Sequence, residues 1–490
     1  MPGSKGRARL LAGGAIQLAL AGSLAGCMVG PNYRGPPKVT PEAVNAPAFR
    51  RAGPDQSAAP PPARWWTSLG DAELDRLETA ALASSPDLEA AAARVREARA
   101  VLSQNKANAL PSSGTSAIYL HAKGLTSALG AAPAGSGTPG QPSPSPVTQS
   151  YAAVLDATWE LDLFGGNRRA IEGARASTQA YRDDLQGAEV SLTAEVAQAY
   201  LSLRDAQARL DQSHRDADIE ARTLAMERQR QAGGVATDLD VERLNDQVLS
   251  TVANFAPLQA EITAQLDRLA VLTGRAPGDL DPQLVGVTPA PLPPAKVDVG
   301  DPAELLQRRP DVRAAERRIE QQTAVIGQKT ANLFPKVQLL GDIGFTGNKV
   351  ESLFTPADLL YVVAPVLQWS PFDFGRTRAT IRQAKATRDE AVADYRKTVL
   401  TALDDAETSL ARYGRQREAV VALTEVKMSA DRAAQLTDLR FQGGTATTVD
   451  VLDAERNRVQ AETNLEQAQV QLTQDFVALQ KSLGLGWRES

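Results

Sequence analysis

A single cysteine, Cys27, and two histidines, His121 and His214, stand among 490 residues. One cysteine excludes an internal disulfide. Neither histidine sits in a metal-ligand or acid–base motif, so the sequence offers no catalytic constellation, and neither an enzyme nor a bound cofactor is expected. The acidic residues are plentiful but scattered along helix faces, where a solvated surface is the default. Basic residues are not in excess (53 Lys and Arg against 58 Asp and Glu, net charge −5), which leaves no electrostatic basis for a nucleic-acid partner. Aromatic residues are 5% of the chain, and the abundance of alanine favours long helices over a thick aromatic core. Proline is missing between Pro146 and Pro257 and again after Pro371, and such stretches permit very long uninterrupted helices.

The N-terminus has a basic start (Lys5, Arg7, Arg9) and an apolar run from Leu10 to Ala21. That run is shorter than the roughly 20 residues a membrane-spanning helix needs, and reads as a signal peptide. Leu24-Ala25-Gly26-Cys27 matches the bacterial lipobox, in which the cysteine becomes the acylated first residue; the alternative is an ordinary signal peptide with a coincidental cysteine. Met28, rather than Asp, favours the outer membrane by analogy with bacterial lipoproteins. Removal of residues 1–26 takes Lys5, Arg7 and Arg9 with it and shifts the net charge from −5 to −8.

The rest of the chain is a duplication. Trp159, Phe164, Gly165, Arg168 and Ile171 recur 210 residues later as Trp369, Phe374, Gly375, Arg378 and Ile381. The same shift carries Gly233-Gly234, Ala236-Thr237 and Asp240-Val241 onto Gly443-Gly444, Ala446-Thr447 and Asp450-Val451. Upstream, Pro86-Asp87, Ala90-Ala91, Asn108 and Pro111 recur at a shift of 224 as Pro310-Asp311, Ala314-Ala315, Asn332 and Pro335. The change of 14 is a longer first loop, Gly130 to Val147, too poor in apolar side chains to pack.

Within the first copy, apolar or small residues at 171, 174, 178, 181, 185, 188, 192, 199, 203, 206 and 210 form a heptad seam broken only by Glu195. A second seam through Val190, Ala194, Ala197, Leu201 and Ala208 lies roughly 160° around the helix from the first. A helix with two apolar flanks has two neighbours. Gly166 to Gln231 as one helix gives 66 residues, about 99 Å. Its partners are expected over Asp87 to Ala109 and Asp238 to Thr273, the latter kinked at Pro257. Copy two repeats the scheme with Arg376 to Phe441, Asp311 to Leu333 and Thr448 to Leu483. The helices alone are equally compatible with a plain coiled coil.

The strands argue otherwise. Val337, Leu339, Gly341, Ile343 and Phe345 alternate with a mostly polar set, as do Tyr151, Ala153, Leu155, Ala157, Trp159 and Leu161. Leu359 to Trp369 and Ser113 to Ala122 are further strand candidates. Apolar alternation with Tyr151/Trp159 and Tyr361/Trp369 near the strand ends fits a membrane barrel with aromatic girdles; sandwich-core strands are the alternative. Four strands cannot close a membrane barrel, and open edges are not tolerated in lipid, so the chain must oligomerise.

These residues resemble the outer-membrane factors of the TolC and OprM type, especially the NodT-like lipoproteins. The likeness covers nearly the whole chain: Gly30-Pro31-Asn32-Tyr33 after Cys27, Trp65-Trp66 with Asp71 and Leu74, Ser85-Pro86-Asp87-Leu88, Trp159 through Gly165, Arg309-Pro310-Asp311 with Ala314-Ala315-Glu316, and Gly444 through Asp453. The resemblance implies an α+β membrane protein in which a long α-helical barrel continues into a transmembrane β-barrel closed by trimerisation. The implied organisation is a removed signal peptide (1–26), an acylated extended segment (27–84) and repeat 1 (85–274, strand pair 113–161). A Pro-rich connector (275–308), repeat 2 (309–484, strand pair 336–370) and a tail (485–490) complete it.

The function so implied is a passive exit channel of a tripartite efflux pump, partnered by a periplasmic adaptor and an inner-membrane RND transporter, with outer-membrane lipid around it. Rival readings are the exit duct of an ABC-driven protein secretion system and a periplasmic coiled-coil scaffold without a pore. The paired strands disfavour the scaffold. The turns Gly233-Gly234-Val235-Ala236-Thr237 and Gly443-Gly444-Thr445-Ala446-Thr447 are the expected adaptor-docking tips, and could equally be plain helix ends. The resemblance puts a periplasmic gate on Val449, Asp450 and Asp453, with Asp240 the repeat mate of Asp450; the same aspartates would also suit a helix N-terminus. Cargo is not written in these residues.

Overall fold

The computed structural model describes residues 28–123 and 147–487. Cys27 and the Pro/Gly/Ser-rich tract lie outside them. The first elements are α1 (Pro41–Val44), β1 (Gln56–Ser57), a 3₁₀ turn over Trp65–Leu69, α2 (Ala72–Ser84), α3 (Pro86–Asn108), β2 (Ser112–Lys123) and β3 (Val147–Leu161). Next come α4 (Gly166–Ala232), α5 (Asp238–Ala253), α6 (Phe255–Leu272), α7 (Asp281–Leu284), β4 (Val297–Asp298) and α8 (Pro302–Arg308). The second copy contributes α9 (Pro310–Ala331), β5 (Lys336–Gly347), β6 (Leu359–Gln368), α10 (Arg376–Gln442) and α11 (Thr448–Ser482). Both α4 and α10 run 67 residues, as their proline-free sequences allow. Prolines open α3 and α9 at the first helical position, where a missing N–H costs nothing.

The return helix of copy one is broken and that of copy two is not. Asn254 ends α5 and starts α6, with its N–H on the Thr251 carbonyl at 3.2 Å. Pro257, three residues on, has no N–H to donate to Ala253 and would crowd that carbonyl, so the break falls where the ring demands it. The matching stretch of α11 lacks a proline and continues for 35 residues.

The chain divides into two compact units. Among the described residues, one comprises 28–35, 97–123, 147–178 and 317–392; the other 36–96, 179–316 and 393–487. The first holds an antiparallel sheet of order β2-β3-β5-β6. Its register aligns Thr115, Leu155, Ile343 and Tyr361 in one row, so odd-numbered residues of all four strands share one face. Between repeat mates the sheet is staggered by four residues: Tyr151 pairs with Gly347, whereas Tyr361 pairs with Ile343. Such stagger is what tilted strands require.

The second unit is built on a core of Trp65, Trp66, Leu74, Tyr200, Leu203, Leu269, Leu410, Tyr413 and Phe476. Trp65 meets Trp66 and Phe476 edge-on at 5.8 and 6.0 Å. Asp71 caps α2 through the N–H groups of Glu73 and Leu74 and accepts the Tyr200 hydroxyl at 2.7 Å. Within this unit both seams of α4 are covered: Leu192, Ala199, Leu203 and Ala206 on one flank, Val190, Ala194, Ala197 and Leu201 on the other. Tyr181, expected in the first seam, is instead 39% exposed, since its hydroxyl favours the wet edge of the stripe. The short parallel pair of β1 with β4 has no signature in the sequence.

Candidate functional site

The odd face of the sheet is apolar and open on β3, β5 and β6, whereas β2 adds Ser113, Thr115, His121 and Lys123 to it. Tyr361, Val363 and Leu367 are 74, 72 and 65% exposed, with Leu155 and Ile343 also open. On the even face Asp156 stands directly opposite Asp342, and Glu160 pairs with Lys336 at 3.5 Å. Like charges set opposite one another repel, so this face is suited to water and the other to lipid. The edge strands depart from the clean alternation. Ile118 and Leu120 of β2, and Leu360 and Val362 of β6, are apolar residues on the even face.

Of the aromatic residues singled out in the sequence, Tyr151 pairs with Gly347 near one end of the sheet and Trp159 and Trp369 stand at the other, while Tyr361 lies within the face opposite Ile343. Tyr151 packs at a tilt against Tyr119, ring centres 4.9 Å apart. Trp159 and Trp369 are 38 and 54% exposed, and their indoles donate to the carbonyls of Ala109 and Leu333 just past the ends of α3 and α9.

The segment after Cys27 is pinned to the same unit. The Val29 N–H donates to the Phe164 carbonyl at 3.2 Å. The guanidinium of Arg169, fully buried, donates to the carbonyls of Val29 and Gly30, to Asn32 Oδ1 at 2.6 Å, and pairs with Glu172 at 2.7 Å. Gly30 lies so close to Gly327 that a Cβ on it would sit 2.5 Å from the Gly327 Cα. The motif Gly30-Pro31-Asn32 is thereby given a structural reason, and its partner Arg169 was not apparent in the sequence.

The two tip turns are built alike. Val235 N–H bonds the Arg230 carbonyl at 2.9 Å and Gly234 N–H the Gln231 carbonyl at 2.9 Å; in copy two Thr445 bonds Arg440 at 2.8 Å and Gly444 bonds Phe441 at 2.9 Å. This is a Schellman end, and it needs the left-handed backbone of Gly234 (φ 74°) and Gly444 (φ 68°). Gly233, Ala236, Gly443 and Ala446 complete the turns, and Thr237 and Thr447 open the next helices with capping boxes. Thr237 gives Asp240 its backbone N–H and its hydroxyl at 3.1 and 2.6 Å, and Thr447 gives Asp450 the same pair at 2.7 and 2.8 Å. These bonds hold both carboxyls below the usual aspartate range: the Thr237 hydroxyl first at Asp240, the Thr447 N–H first at Asp450. Asp453 stands outside the cap, 61% exposed beside Arg456 at 3.5 Å. Val235 and Val449 project 70 and 56% into solvent.

Arg309 explains a further motif. It forks onto Asp311 at 3.0 and 2.7 Å, reaches Asp405 at 3.2 Å and donates to the Ser482 carbonyl at 2.9 Å. Burial opposes its charge, but the two carboxylates outweigh that and raise its pKa. It ties the start of α9 to α10 and α11. No group of acidic, histidine or cysteine side chains that could hold a metal occurs among the described residues.

Residues 77–275 and 302–485 match the family model for outer membrane efflux proteins. The chain belongs to that family. It is 30% identical over 479 residues to the outer membrane protein OprJ of Pseudomonas aeruginosa, covering 97% of this chain and 96% of OprJ. It is 27% identical over 469 residues to nodulation protein T of Rhizobium leguminosarum bv. trifolii, covering 95% of each. Its fold matches the solved outer-membrane channel OprN at a TM-score of 0.83 and 35% identity, over 94% of this chain and all of that one. The protein is thus an efflux-family channel of the outer membrane, combining a helical barrel architecture with a β domain.

Proposed function

We propose that three copies assemble into the exit duct of a tripartite efflux pump, passing drugs or other small molecules from the periplasm to the exterior. The observation that carries this reading is the four-stranded sheet, open at both outer strands, with a face that is apolar and exposed on three of its strands. Four strands are too few to close in lipid, and three copies give twelve, an even count within the range of membrane barrels. Acylated Cys27 anchors the chain to the outer membrane, and Tyr151, Trp159, Tyr361 and Trp369 form its girdles. A periplasmic adaptor seats on the turns 233–237 and 443–447, an inner-membrane RND transporter supplies the energy, and Val449, Asp450, Asp453 and Asp240 line the closed end. Reconstituted into planar bilayers, the full chain should give discrete conductance steps, and its deletion should raise intracellular drug accumulation. A silent bilayer would overturn the duct, while loss of protein secretion without a change in drug accumulation would favour an ABC-driven secretion system.

A further inference from the structure

Below the even face of the sheet lies a cavity of about 210 Å³, between the end of β3 and the start of α4 on one side and the end of α9 and the start of β5 on the other. All of its walls belong to one compact unit. Glu160 and Lys336, the even-face ion pair, are part of its lining. Asn167 lines it too, whereas Arg169, about 200° further round α4, holds the arm from Val29 to Asn32 on the opposite flank. The cavity therefore belongs to the polar, water-suited side of the wall.

Its charges do not balance. Asp162 is committed to its own turn, where its carboxylate accepts the N–H groups of Asn167 and Arg168 at 3.1 and 2.9 Å and Arg168 Nε at 3.3 Å. Glu160 is taken by Lys336 at 3.5 Å. Lys329 is left over: it is half-buried in the last turn of α9, and its ammonium has no ion pair or hydrogen bond among the described residues. The side-chain amides of Asn167, Gln328 and Asn332 line the same space and are likewise unbonded among the described residues. One cation surrounded by amides that can turn their NH₂ groups inward is a receptor for a single negative charge. Leu163, Phe164 and Pro335 give the rest of the lining an apolar character.

The repeat shows that the fold does not require these charges. At the shifts of 210 and 224 the images of Glu160, Asp162, Lys329 and Lys336 are Ser370, Phe372, Asn105 and Ser112, all uncharged. The turn after β6 is closed instead by Asp373, which accepts the N–H groups of Gly375 and Thr377 at 3.0 and 2.7 Å. A cation in the last turn suits the helix dipole, but in α3 that role falls to Lys106, one place along from Asn105. The dipole alone does not select the position that faces the cavity.

We infer that this cavity binds the carboxylate of an apolar organic anion, with Lys329 supplying the charge that selects it and Asn167 and Asn332 donating hydrogen bonds. Binding needs only one chain; the role of the cavity as a station on the duct wall rests on the reading proposed above.

Titration calorimetry of the purified full chain in detergent with benzoate tests the site, with benzyl alcohol as the neutral analogue that measures partition into the micelle. Benzoate should bind saturably and benzyl alcohol should not. Lys329→Gln should weaken benzoate binding roughly tenfold or more, as the loss of a charged hydrogen bond implies, and Lys329→Arg should retain it. If Lys329 serves the helix dipole alone, Lys329→Gln lowers the melting temperature and leaves benzoate binding unchanged, which would overturn the site. Wild-type protein that binds no benzoate would overturn it as well, and displacement by inorganic phosphate at lower concentration than by acetate would overturn the carboxylate class. Conductance steps in a planar bilayer without benzoate binding would remove the site and leave the duct standing; benzoate binding with a silent bilayer would do the reverse.

Discussion

The indole of Trp369 donates to the carbonyl of Leu333 at 3.2 Å, repeating the bond from Trp159 to Ala109 at 3.1 Å. Each bond ties the foot of a strand pair to the end of the helix that leads into it. Trp369→Phe keeps the ring and removes the donor. A neutral hydrogen bond is worth about 1 kcal/mol, so thermal unfolding followed by near-UV circular dichroism should move down by a few degrees or less. No loss on Trp369→Phe would show that the exposed carbonyl is equally well served by water.

The lipid assignment is separable from the packing of the arm. Cys27→Ser should abolish incorporation of labelled palmitate. Asn32→Ala, which removes a charge-assisted acceptor from buried Arg169, should leave labelling intact, cost on the order of 2 kcal/mol locally and make residues 28–35 cleavable by protease. Persistent labelling of the serine variant would rule out Cys27 as the lipid site.

Gly444→Asp places a side chain on a left-handed backbone that is open to solvent, so the substitution strains the turn without a clash. Drug resistance in cells should fall while the amount of trimer stays level. Undiminished crosslinking of adaptor to tip would separate this turn from docking.

Asp450 and Asp453 lie three residues apart on one helix but differ in their bonding. Asp450 holds the capping box, so Asp450→Asn weakens the helix start together with any gating effect. Its carboxyl titrates below the usual range, so its contribution is present above the unfolded value and is lost as pH falls through the lowered one. Asp453→Asn spares the cap and is the cleaner probe. It should reduce cation selectivity and block by multivalent cations in planar bilayers, and unchanged selectivity would take Asp453 out of the pore.

Glu78 is buried in α2, and both its oxygens lack a hydrogen-bond partner. Burial, and then the neighbouring Asp75 charge, push its pKa well above the ordinary 4.5. The native state therefore holds its proton more tightly than the unfolded chain. The group costs nothing below about pH 4.5, and stability falls as pH rises from there towards the raised value. Glu78→Gln should raise the melting temperature at pH 7 and leave it unchanged at pH 4. Equal effects at both pH values would mean that Glu78 is charged in the fold.

The helix ends were legible in the sequence to within two residues because punctuation sets them: Pro86 and Pro310 at starts, paired glycines at ends, and long stretches without proline between. β3 and β5 were legible because their alternation is periodic; β2 and β6 lack it and stood only as further candidates. Contact between distant segments had no local signature. Arg169 reaches Asn32 across 137 positions, and nothing around either residue announces the other. The spacing admits these aspartates as gate residues or as helix N-terminal aspartates favoured by the dipole; the capping boxes that Asp240 and Asp450 form with Thr237 and Thr447 had no reading in the sequence.

The interruption at Asn254 has a mechanical meaning. A continuous α11 transmits a twist applied at one end along its 35 residues, whereas the hydrogen-bond ladder between α5 and α6 is cut, and a twist arriving there can be taken up as a bend. Two repeats of common ancestry therefore differ in stiffness. Any deformation entering through the tips is shared unequally, with the copy-one return arm acting as the joint and the copy-two return arm as the lever.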